Sequence, residues 1–469
     1  MRRREFFKVG VGGAASGMAA YGEQKRERVE MTSNMNKTPK PYGTQYYERA
    51  REIWNQISTT ELPLIAQAAD HAAFSLKKGR KLYCQITGGH MHMAEFRPGR
   101  PGNPDYLHNW SRQKVDRDFD VIEKDDFIMF DCPRERIARA RNRGAFTVGI
   151  RVPYFPNRTT PKGVHAMNEL AVNPVFEGII LPEECSDIIL TSGVPFTDGT
   201  LYIPEIPAVR VCPISPQGTF NFYWMLTAEI AARHKGNGRT GSSEKAKEYI
   251  EHVKARGARI HNNLETIDAA AKAMMECVAR GGRYWNFPMR HSNESNRDDA
   301  LDHDPGLWAI MVTENTERAS GLAMSRLISL AQIREKGKEG DFVIIAGEVS
   351  DAKENLEAAR AFSSAGIKVI YIGPNTEGAK EDDMSRIADW HIDTFSPERA
   401  GVLVVPGLDT KICPTTGVLY AFAQYMLNAQ FIGHMIKADM TPLVFMGLHL
   451  LGGGAYFDVV QRVWHKRGY

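Results

Sequence analysis

The sequence lacks a dominant charge and, beyond its first residues, any long apolar run. Its 59 basic and 56 acidic side chains leave a formal net charge of +3. Residues 1–20 hold four basic side chains and one acidic side chain, the same balance of +3, so the rest of the chain is neutral. A neutral body argues against nucleic acid as a partner, because such a face needs clustered Lys and Arg. No later stretch has the roughly 18 consecutive apolar residues of a spanning helix, so no stable membrane insertion is expected.

Cysteine is sparse and shows no paired spacing. The six cysteines are Cys84, Cys132, Cys185, Cys212, Cys277 and Cys413. Several lie in apolar runs, where a free cysteine behaves as a small hydrophobic residue. We therefore expect no disulfide framework, and the sequence predicts no cofactor.

The first twenty residues have the pattern of an export signal. Arg3 and Arg4 precede a polar residue and two phenylalanines, as in twin-arginine signals, and the Gly/Ala-rich run that follows is too short to span a bilayer. The hypothesis is a signal peptide at 1–20, with the twin-arginine export machinery as a partner and a periplasmic or extracellular location. The alternative is a basic disordered tail. The polar residues 21–43 are expected to form a flexible lead-in.

The chain contains one pattern twice. LPLIAQAADHAAFSLKKGRKLY at 62–83 and LETIDAAAKAMMECVARGGRYW at 264–285 both predict an amphipathic helix, a Gly stop and a strand. Matching anchors have nearly equal offsets: Gly79 and Gly281 are 202 residues apart, Asp187 and Asp389 are 202 apart, and Pro213 and Pro414 are 201 apart. Asp126 and Asp341 are 215 apart, which predicts an insertion within 314–336. We infer a tandem duplication.

Composition and periodicity predict the domain organisation. The stretch KGNGRTGSSE predicts a linker at 235–244, between a first domain at 44–234 and a second at 245–469. Each half alternates helices with near-continuous apolar strands, which indicates an α/β fold of two doubly wound, flavodoxin-like parallel-sheet domains in tandem. Ligands bind such sheets beyond the carboxyl ends of the strands, where the strand order reverses. The loops after the first two strands of each half are therefore expected to form the site.

Two of these loops combine histidine with glutamate: TGGHMHMAEF at 87–96 and RHSNE at 290–294. The former resembles the Gly-x-Gly-His-Ser-His-Met-x-x-Glu stretch of the SIS (sugar isomerase) family, and the latter resembles a degenerate version of that stretch. Cys-Pro-x-Thr/Ser before a helix, found in both halves, is also similar. The resemblance covers 45–469 in two copies. It implies SIS-type domains, a sugar ligand and aldose–ketose isomerisation.

The chain departs from the family where the family holds phosphate. The family's second loop offers Ser-x-Ser/Thr-Gly, whose hydroxyls and backbone N–H groups bind the phosphate. The first half has Asp131-Cys132-Pro133-Arg134 there, and the second has Gly347-Glu348-Val349-Ser350. Because an acid at that position repels a dianion, we expect a neutral sugar or sugar derivative as the small-molecule partner.

The resemblance also implies roles for individual residues. A carboxylate moves a proton between C1 and C2, and an acid, often His, opens the ring and polarises the carbonyl. The expected catalytic residues are Glu294, Glu95, His291, His92 and His303. The expected substrate-binding residues are Gly88, Gly89, His90, Ser292, Asn293, Arg297, Glu348, Ser350, Thr415 and Thr416. A second interpretation of the last two makes them the N-cap of the following helix.

Other hypotheses stay open at this stage. A non-catalytic carbohydrate-binding or sensor module would keep the fold without the chemistry. A metal-dependent hydrolase would use His90 and His92, but it needs further ligands at later strand ends, and the later histidines are scattered, so no metal is assigned. The charged stretch 290–304 also fits a solvated loop. The Met-rich run 420–436 and Tyr223-Trp224 suit either the core or a homo-oligomer face.

Overall fold

The computed structural model describes the chain between residues 39 and 444, together with parts of 456–466. The exceptions within that range are residues 86–98, 110–120, 132–134, 152–181, 196–197, 208, 288–315, 318–324, 328–332, 350–351 and 376–381. The predicted export signal at 1–20 and most of the lead-in at 21–43 lie outside the described residues, so both stay predictions.

Two helices precede the first sheet. Helix α1 (Tyr42–Gln56) and helix α2 (Leu62–Lys77) are joined by one π-helical turn at Ile57–Glu61. Helix α1 begins two residues before the predicted start of the first domain. It buries Tyr46, Ala50, Ile53 and Trp54, whose spacing gives one apolar face.

The first half continues with one parallel sheet of five strands and, between the strands, two short helices. In chain order these elements are β1 (Leu82–Gln85), β2 (Leu107–Asn109), β3 (Phe127–Phe130), α3 (Glu135–Asn142), β4 (Phe146–Arg151), α4 (Pro182–Cys185) and β5 (Ile188–Thr191). The strand order is β2-β1-β3-β4-β5, and every neighbouring pair is parallel. A short antiparallel pair, β6 (Gly199–Leu201) and β7 (Val211–Pro213), leads into helix α5 (Pro216–Lys235).

The second half begins with two helices and forms a second sheet. Its elements are α6 (Glu244–Asn262), α7 (Leu264–Ala279), β8 (Tyr284–Phe287), β9 (Thr316–Glu317), β10 (Ser325–Leu327), α8 (Ile333–Lys336), β11 (Phe342–Ala346), α9 (Lys353–Ser364), β12 (Lys368–Gly373), α10 (Met384–Ile387), β13 (Trp390–Asp393) and α11 (Thr416–Lys437). The strand order is β13-β12-β11-β8-β10-β9, in which only the edge pair β10–β9 is antiparallel.

The two sheets share one strand order. The order β2-β1-β3-β4-β5 corresponds to β10-β8-β11-β12-β13, with β9 as an added edge strand. This is the flavodoxin-like order, so the predicted α/β class with parallel sheets is confirmed. Strands β3 and β11 are buried along their whole length, as expected for parallel strands covered on both faces. The order reverses between β1 and β3, and between β8 and β11, and it is at such positions that open sheets of this kind bind their ligands.

The core is continuous across the two halves. Helices α5 and α11 are buried along nearly their whole length and pack against each other, and α1 of the first half packs against α11 of the second. Trp54 contacts α6 at Gly257, where a Cβ would lie 2.5 Å from the indole ring, so a side chain would displace the tryptophan. The Met-rich run 420–436 lies in α11 and therefore in this core. None of the described helices is long and apolar enough to cross a membrane.

Each half also contains the same Cys-Pro turn. Cys212 and Cys413 both have a left-handed backbone, with φ of 61° and 60°. The thiol of Cys212 donates to the carbonyl of Tyr425 in α11 at 3.6 Å, and the thiol of Cys413 donates to the carbonyl of Trp224 in α5 at 3.4 Å. The turn of each half is thereby bonded to the central helix of the other half.

Candidate functional site

Most of the predicted site residues lie outside the described residues. These are Gly88, Gly89, His90, His92 and Glu95 after β1, His291, Ser292, Asn293, Glu294, Arg297 and His303 after β8, and Ser350. Their roles therefore stay predictions. Glu348, Thr415 and Thr416 are described, and two of them meet at an arginine that the sequence did not indicate.

A buried arginine from the first half joins Glu348 to Thr416. Arg100 lies in the segment between β1 and β2, and its Nη2 and Nε are 2.7 and 2.8 Å from Oε1 of Glu348. Its Nη2 also donates a hydrogen bond to Oγ1 of Thr416 at 2.9 Å. Glu348 follows β11 after one glycine, and Thr416 is the first residue of α11. The arginine therefore fixes the loop after β11 against the start of α11. We call Arg100, Glu348 and Thr416 the junction cluster.

Burial of Arg100 makes its bonds to Glu348 and Thr416 costly to break. The Arg100 side chain is 1% exposed, whereas the Glu348 side chain is 20% exposed. The guanidinium also lies over the ring of Trp224, with Cζ 5.4 Å from the ring centroid, which adds a cation–π interaction. A buried charge is tolerated when it is paired, and removing one partner of a buried pair costs about 3–5 kcal/mol. Glu348 keeps some contact with solvent at the carboxyl edge of the sheet, whereas Arg100 has almost none.

The two threonines at the start of α11 bond their hydroxyls to residues outside the helix. Thr415 occupies the N-cap position, but its side chain makes no capping hydrogen bond. Its Oγ1 lies 3.0 Å from Oγ of Ser396, which follows β13. Thr415 is therefore the N-cap residue by position, but its hydroxyl bonds a neighbouring loop instead of the helix. The hydroxyl of Thr416 thus bonds the first half, through Arg100, and that of Thr415 bonds the loop after β13.

The loop that carries Arg100 is held by a backbone contact with the second half. The N–H of Cys413 donates to the carbonyl of Gly102 at 2.8 Å. Gly102 has φ of +80°, and a Cβ there would lie 2.8 Å from the nitrogen of Gly401. Only glycine fits this close approach without strain. The Cys-Pro turn of the second half thus positions the arginine of the first.

A second buried acid lies at the carboxyl edge of the first sheet. Asp131 directly follows β3 and is fully buried. Burial raises the pKa of the Cys84 thiol well above its usual value, and the nearby Asp131 carboxylate adds to this effect. Burial also raises the pKa of Tyr223, with a further contribution from Cys84, while a hydrogen bond with Asn103 opposes the rise. Buried polar groups therefore extend from Asp131 to the loop that carries Arg100.

Sequence reasoning missed Arg100 and the role of Trp224. Arg100 stands in RPGRPGNP, whose Gly and Pro residues predict only an irregular turn. Its partners are 248 and 316 residues away, so no local pattern marks it. Trp224 is fully buried, in agreement with the interpretation that places it in the core. Its contact with the Arg100 guanidinium was not predicted.

The metal hypothesis receives no support from the part of the chain that the structure describes. Within that part, no three His, Cys, Asp or Glu side chains are grouped so as to hold a metal ion. His90 and His92 lie outside it, so a site that uses them stays a prediction.

Comparisons with known proteins give structural similarity only. No protein-family model and no curated protein matches the sequence. The C-terminal domain of glucosamine-fructose-6-phosphate aminotransferase from Francisella tularensis is 10% identical, with a TM-score of 0.43 over 85% of this chain and 97% of that chain. Tagatose-6-phosphate ketose/aldose isomerase from Escherichia coli is 10% identical, with a TM-score of 0.39 over 88% of this chain and 99% of that chain. At these values, neither similarity places the chain in a family or assigns it an activity.

Proposed function

We propose that this chain is an SIS-like protein that binds an unphosphorylated sugar or sugar derivative between its two halves and isomerises it. The junction cluster is the observation that carries this proposal. It brings the Glu348 carboxylate and the Thr416 hydroxyl, both predicted to bind substrate, onto one guanidinium at the carboxyl edge of the second sheet. Carboxylates and hydroxyls are the groups that accept and donate hydrogen bonds to sugar hydroxyls.

The proposal includes two copies of one unit in the chain. The shared strand order supports it, and so do contacts that occur once in each half. Tyr46 of α1 donates to the carbonyl of Pro213 at 2.9 Å, and Tyr249 of α6 donates to the carbonyl of Pro414 at 3.1 Å. The two prolines are 201 residues apart and the two tyrosines are 203 apart. One copy then supplies Arg100 to the site, and the other supplies its acid and hydroxyl.

The charges of the site favour an uncharged ligand. The Arg100 guanidinium is already bonded to Glu348. Asp131 adds a buried carboxylate at the carboxyl edge of the first sheet. Two like charges about 4 Å apart near a protein surface repel by about 4 kcal/mol. Arg100 offsets part of the Glu348 charge, so each negative charge of a phosphate placed beside Glu348 would meet part of this penalty, whereas sugar hydroxyls donate hydrogen bonds to the same carboxylate.

The catalytic step would use the residues predicted from the loops. Glu294 or Glu95 would carry the proton between C1 and C2, and His291, His92 or His303 would act as the acid. Glu348 and Thr416 would hold the sugar hydroxyls, with Arg100 as the residue that positions them. Because Arg100 comes from the first half and the predicted Glu294 from the second, neither half would contain the whole site.

Calorimetric titration and thermal shift with neutral sugars, sugar acids and phosphosugars test the proposal. We expect one class of unphosphorylated sugar to bind, and Glu348→Gln and Thr416→Val each to weaken its binding about tenfold, because the first turns a charged acceptor into a neutral amide and the second removes a hydroxyl. Glu244→Gln is the matched control, because Glu244 is an exposed acid paired with Arg239 in the linker region.

Turnover, followed by NMR of the bound sugar, separates the enzyme from a binding module. Isomerisation that disappears in Glu294→Gln or Glu95→Gln, with binding kept, supports catalysis. Binding without turnover in the unaltered protein supports the carbohydrate-binding module instead. A response to zinc or manganese alone, reversed by a chelator, would contradict the sugar site and favour the His90/His92 hypothesis.

We also propose that the chain is exported by the twin-arginine route, on the basis of residues 1–20. Fusion of residues 1–43 to a reporter that fluoresces in the periplasm only after export in the folded state provides the test. Replacement of Arg3 and Arg4 by Lys is expected to abolish the signal. Export that is indifferent to this replacement would overturn the proposal.

A further inference from the structure

One face of α6 carries basic side chains that meet the loop after β13. His252, Arg256 and Arg259 are spaced by four and three residues, so they lie on the same side of the helix. Nε of Arg256 donates to the carbonyl of Phe395 at 2.9 Å, and Cζ of Arg259 lies 3.9 Å from the centroid of the Phe395 ring. Both guanidinium groups therefore converge on one residue of the loop.

Phe395 has a backbone conformation that suits glycine. Its φ is +53°, and the residue 202 positions earlier, at the matching place in the first half, is Gly193 with φ of +67°. A bulky side chain is unfavourable at positive φ, because its Cβ crowds the backbone. Oδ1 of Asp393 accepts from the N–H of Phe395 at 2.7 Å and so helps to hold this turn. The second half thus has a strained phenylalanine, stacked on Arg259, where the first half has glycine.

The donors of these side chains are not used up by the protein. An arginine stacked on an aromatic ring keeps its N–H donors in its own plane, and among the described residues no acceptor bonds those of the exposed Arg259. Arg256 bonds only neutral acceptors there: the carbonyls of Phe395 and His252, and Nδ1 of His252 at 3.0 Å. Because a guanidinium has no acceptor, this Nδ1 accepts, and the proton of neutral His252 is on Nε2.

The charges of the two arginines are not offset by carboxylates. Within the described part of the chain, neither Arg256 nor Arg259 forms an ion pair, whereas two acids of α6 pair with lysines of the same helix, as Glu248–Lys245 and Glu251–Lys254. Burial lowers the pKa of Arg256, and repulsion from Arg259 adds to this effect, while Tyr249 opposes it. A half-buried cation next to a like charge is unfavourable unless an anion offsets it.

Lys411 adds a further cation to this face. Burial is the main cause of a lowered pKa of His252. Nearby cations add to the effect and Glu248 opposes it, the cations being Arg256, Lys411 and Lys245. The charge of Lys411 therefore reaches His252, and Lys411 is exposed, with no ion pair to a described carboxylate. We call His252, Arg256, Arg259 and Lys411 the α6 cationic cluster.

We propose that the α6 cationic cluster binds a small soluble oxyanion with two negative charges, such as phosphate, sulfate or a dicarboxylate. Guanidinium groups bind such anions through paired N–H···O bonds, and a lysine adds a flexible charge. Nε2–H of His252 is a further donor. The bound anion would join α6 to the loop after β13, in which Ser396 bonds Thr415. This site is separate from the proposed sugar site and makes no use of Glu348.

Thermal unfolding of the full-length protein without sugar tests the proposal. Phosphate, sulfate and malonate are titrated separately at slightly alkaline pH, where all three are dianions, with KCl keeping the ionic strength constant so that general screening does not change. We expect the melting temperature to rise with at least one dianion, as mass action requires of a ligand that binds the folded state. The three anions distinguish a tetrahedral group from planar carboxylates. No rise beyond that in KCl alone would overturn the proposal.

Variants of exposed cations locate the bound anion in calorimetric titrations. Arg259→Gln is expected to weaken binding about tenfold, because it removes a paired donor and its charge, and Lys411→Gln is expected to weaken it several-fold. Lys247→Gln is the matched control, because Lys247 is an exposed cation of α6, nine residues from Arg256 and so on the opposite side of the helix. It is expected to bind the anion as the unaltered protein does. Equal binding by all three variants, or an equal loss in Lys247→Gln, would overturn the site.

Discussion

Replacement of Arg100 by methionine tests whether the two halves are held together by the junction cluster. Methionine fills much of the same volume over Trp224 but removes the charge and its hydrogen bonds. Oε1 of Glu348 then loses donors at 2.7 and 2.8 Å, and Oγ1 of Thr416 loses one at 2.9 Å. The variant leaves a carboxylate in a mostly buried position without its cation.

The expected cost follows from burial. Breaking a fully buried ion pair from one side costs about 3–5 kcal/mol. Because the Glu348 side chain is 20% exposed, solvent compensates part of the loss, and we expect about 2–3 kcal/mol. The double variant Arg100→Met/Glu348→Gln also removes the negative charge of Glu348, so it is expected to recover more than half of the lost free energy of unfolding.

Urea unfolding of the three proteins at neutral pH measures these differences, provided that the m-value is unchanged. Arg239→Met is the control, because the Arg239 and Glu244 side chains are 81% and 78% exposed and their pair is screened by water. The reasoning fails if Arg100→Met costs less than about 1 kcal/mol, or if the double variant is no more stable than the single one.

Two further predictions concern the backbone and pH. Gly401→Ala places a Cβ 1.8 Å from the carbonyl of Ile412, so we expect severe loss of soluble, folded protein. In the control Gly79→Ala, the new Cβ meets no atom within 4 Å, and the variant loses only about 1–2 kcal/mol because of its left-handed φ. Equal stability of the two variants in urea would contradict this prediction. Burial lowers the pKa of His261 in the folded protein, so as pH falls below about 6.5 the unfolded state takes up the proton first. The contribution of His261 to the stability of the fold is therefore complete above that pH and declines below it. His261→Gln is expected to reduce this decline in melting curves between about pH 8 and pH 5, and an unchanged decline would show that His261 does not contribute.

The sequence by itself determined the class of fold, because its signals are local. Apolar runs such as FIMF and FVIIA, each bounded by an acid or a glycine, predict buried parallel strands whatever surrounds them, and both are buried strands in the structure. Residues 236–243 of the predicted linker lie between α5 and α6, and the division of the chain into two domains at this point stays a prediction. The positions of Glu348 after a strand and of Thr416 at the start of a helix also followed from local pattern, and their role in ligand binding stays a prediction.

Local patterns could not decide between alternatives that depend on neighbours. The Met-rich run 420–436 fits the core or an interface equally well by periodicity, and only the packing of α11 against α1, α5 and α7 puts it in the core of the chain. Thr415 occupies the N-cap position, yet its hydroxyl bonds Ser396, because the loop after β13 lies beside the start of α11.

What only the tertiary structure decided is which distant residues meet. Arg100 finds Glu348 and Thr416 because the Cys413 turn holds its loop against the second half, a contact between segments more than 300 residues apart. Arg259 reads in the sequence as one of several cations of α6, and its contact with Phe395 is evident only when the loop after β13 is placed beside that helix. Periodicity determines which face a residue occupies within its own element. Which residue it meets on that face depends on how distant elements pack in the tertiary structure.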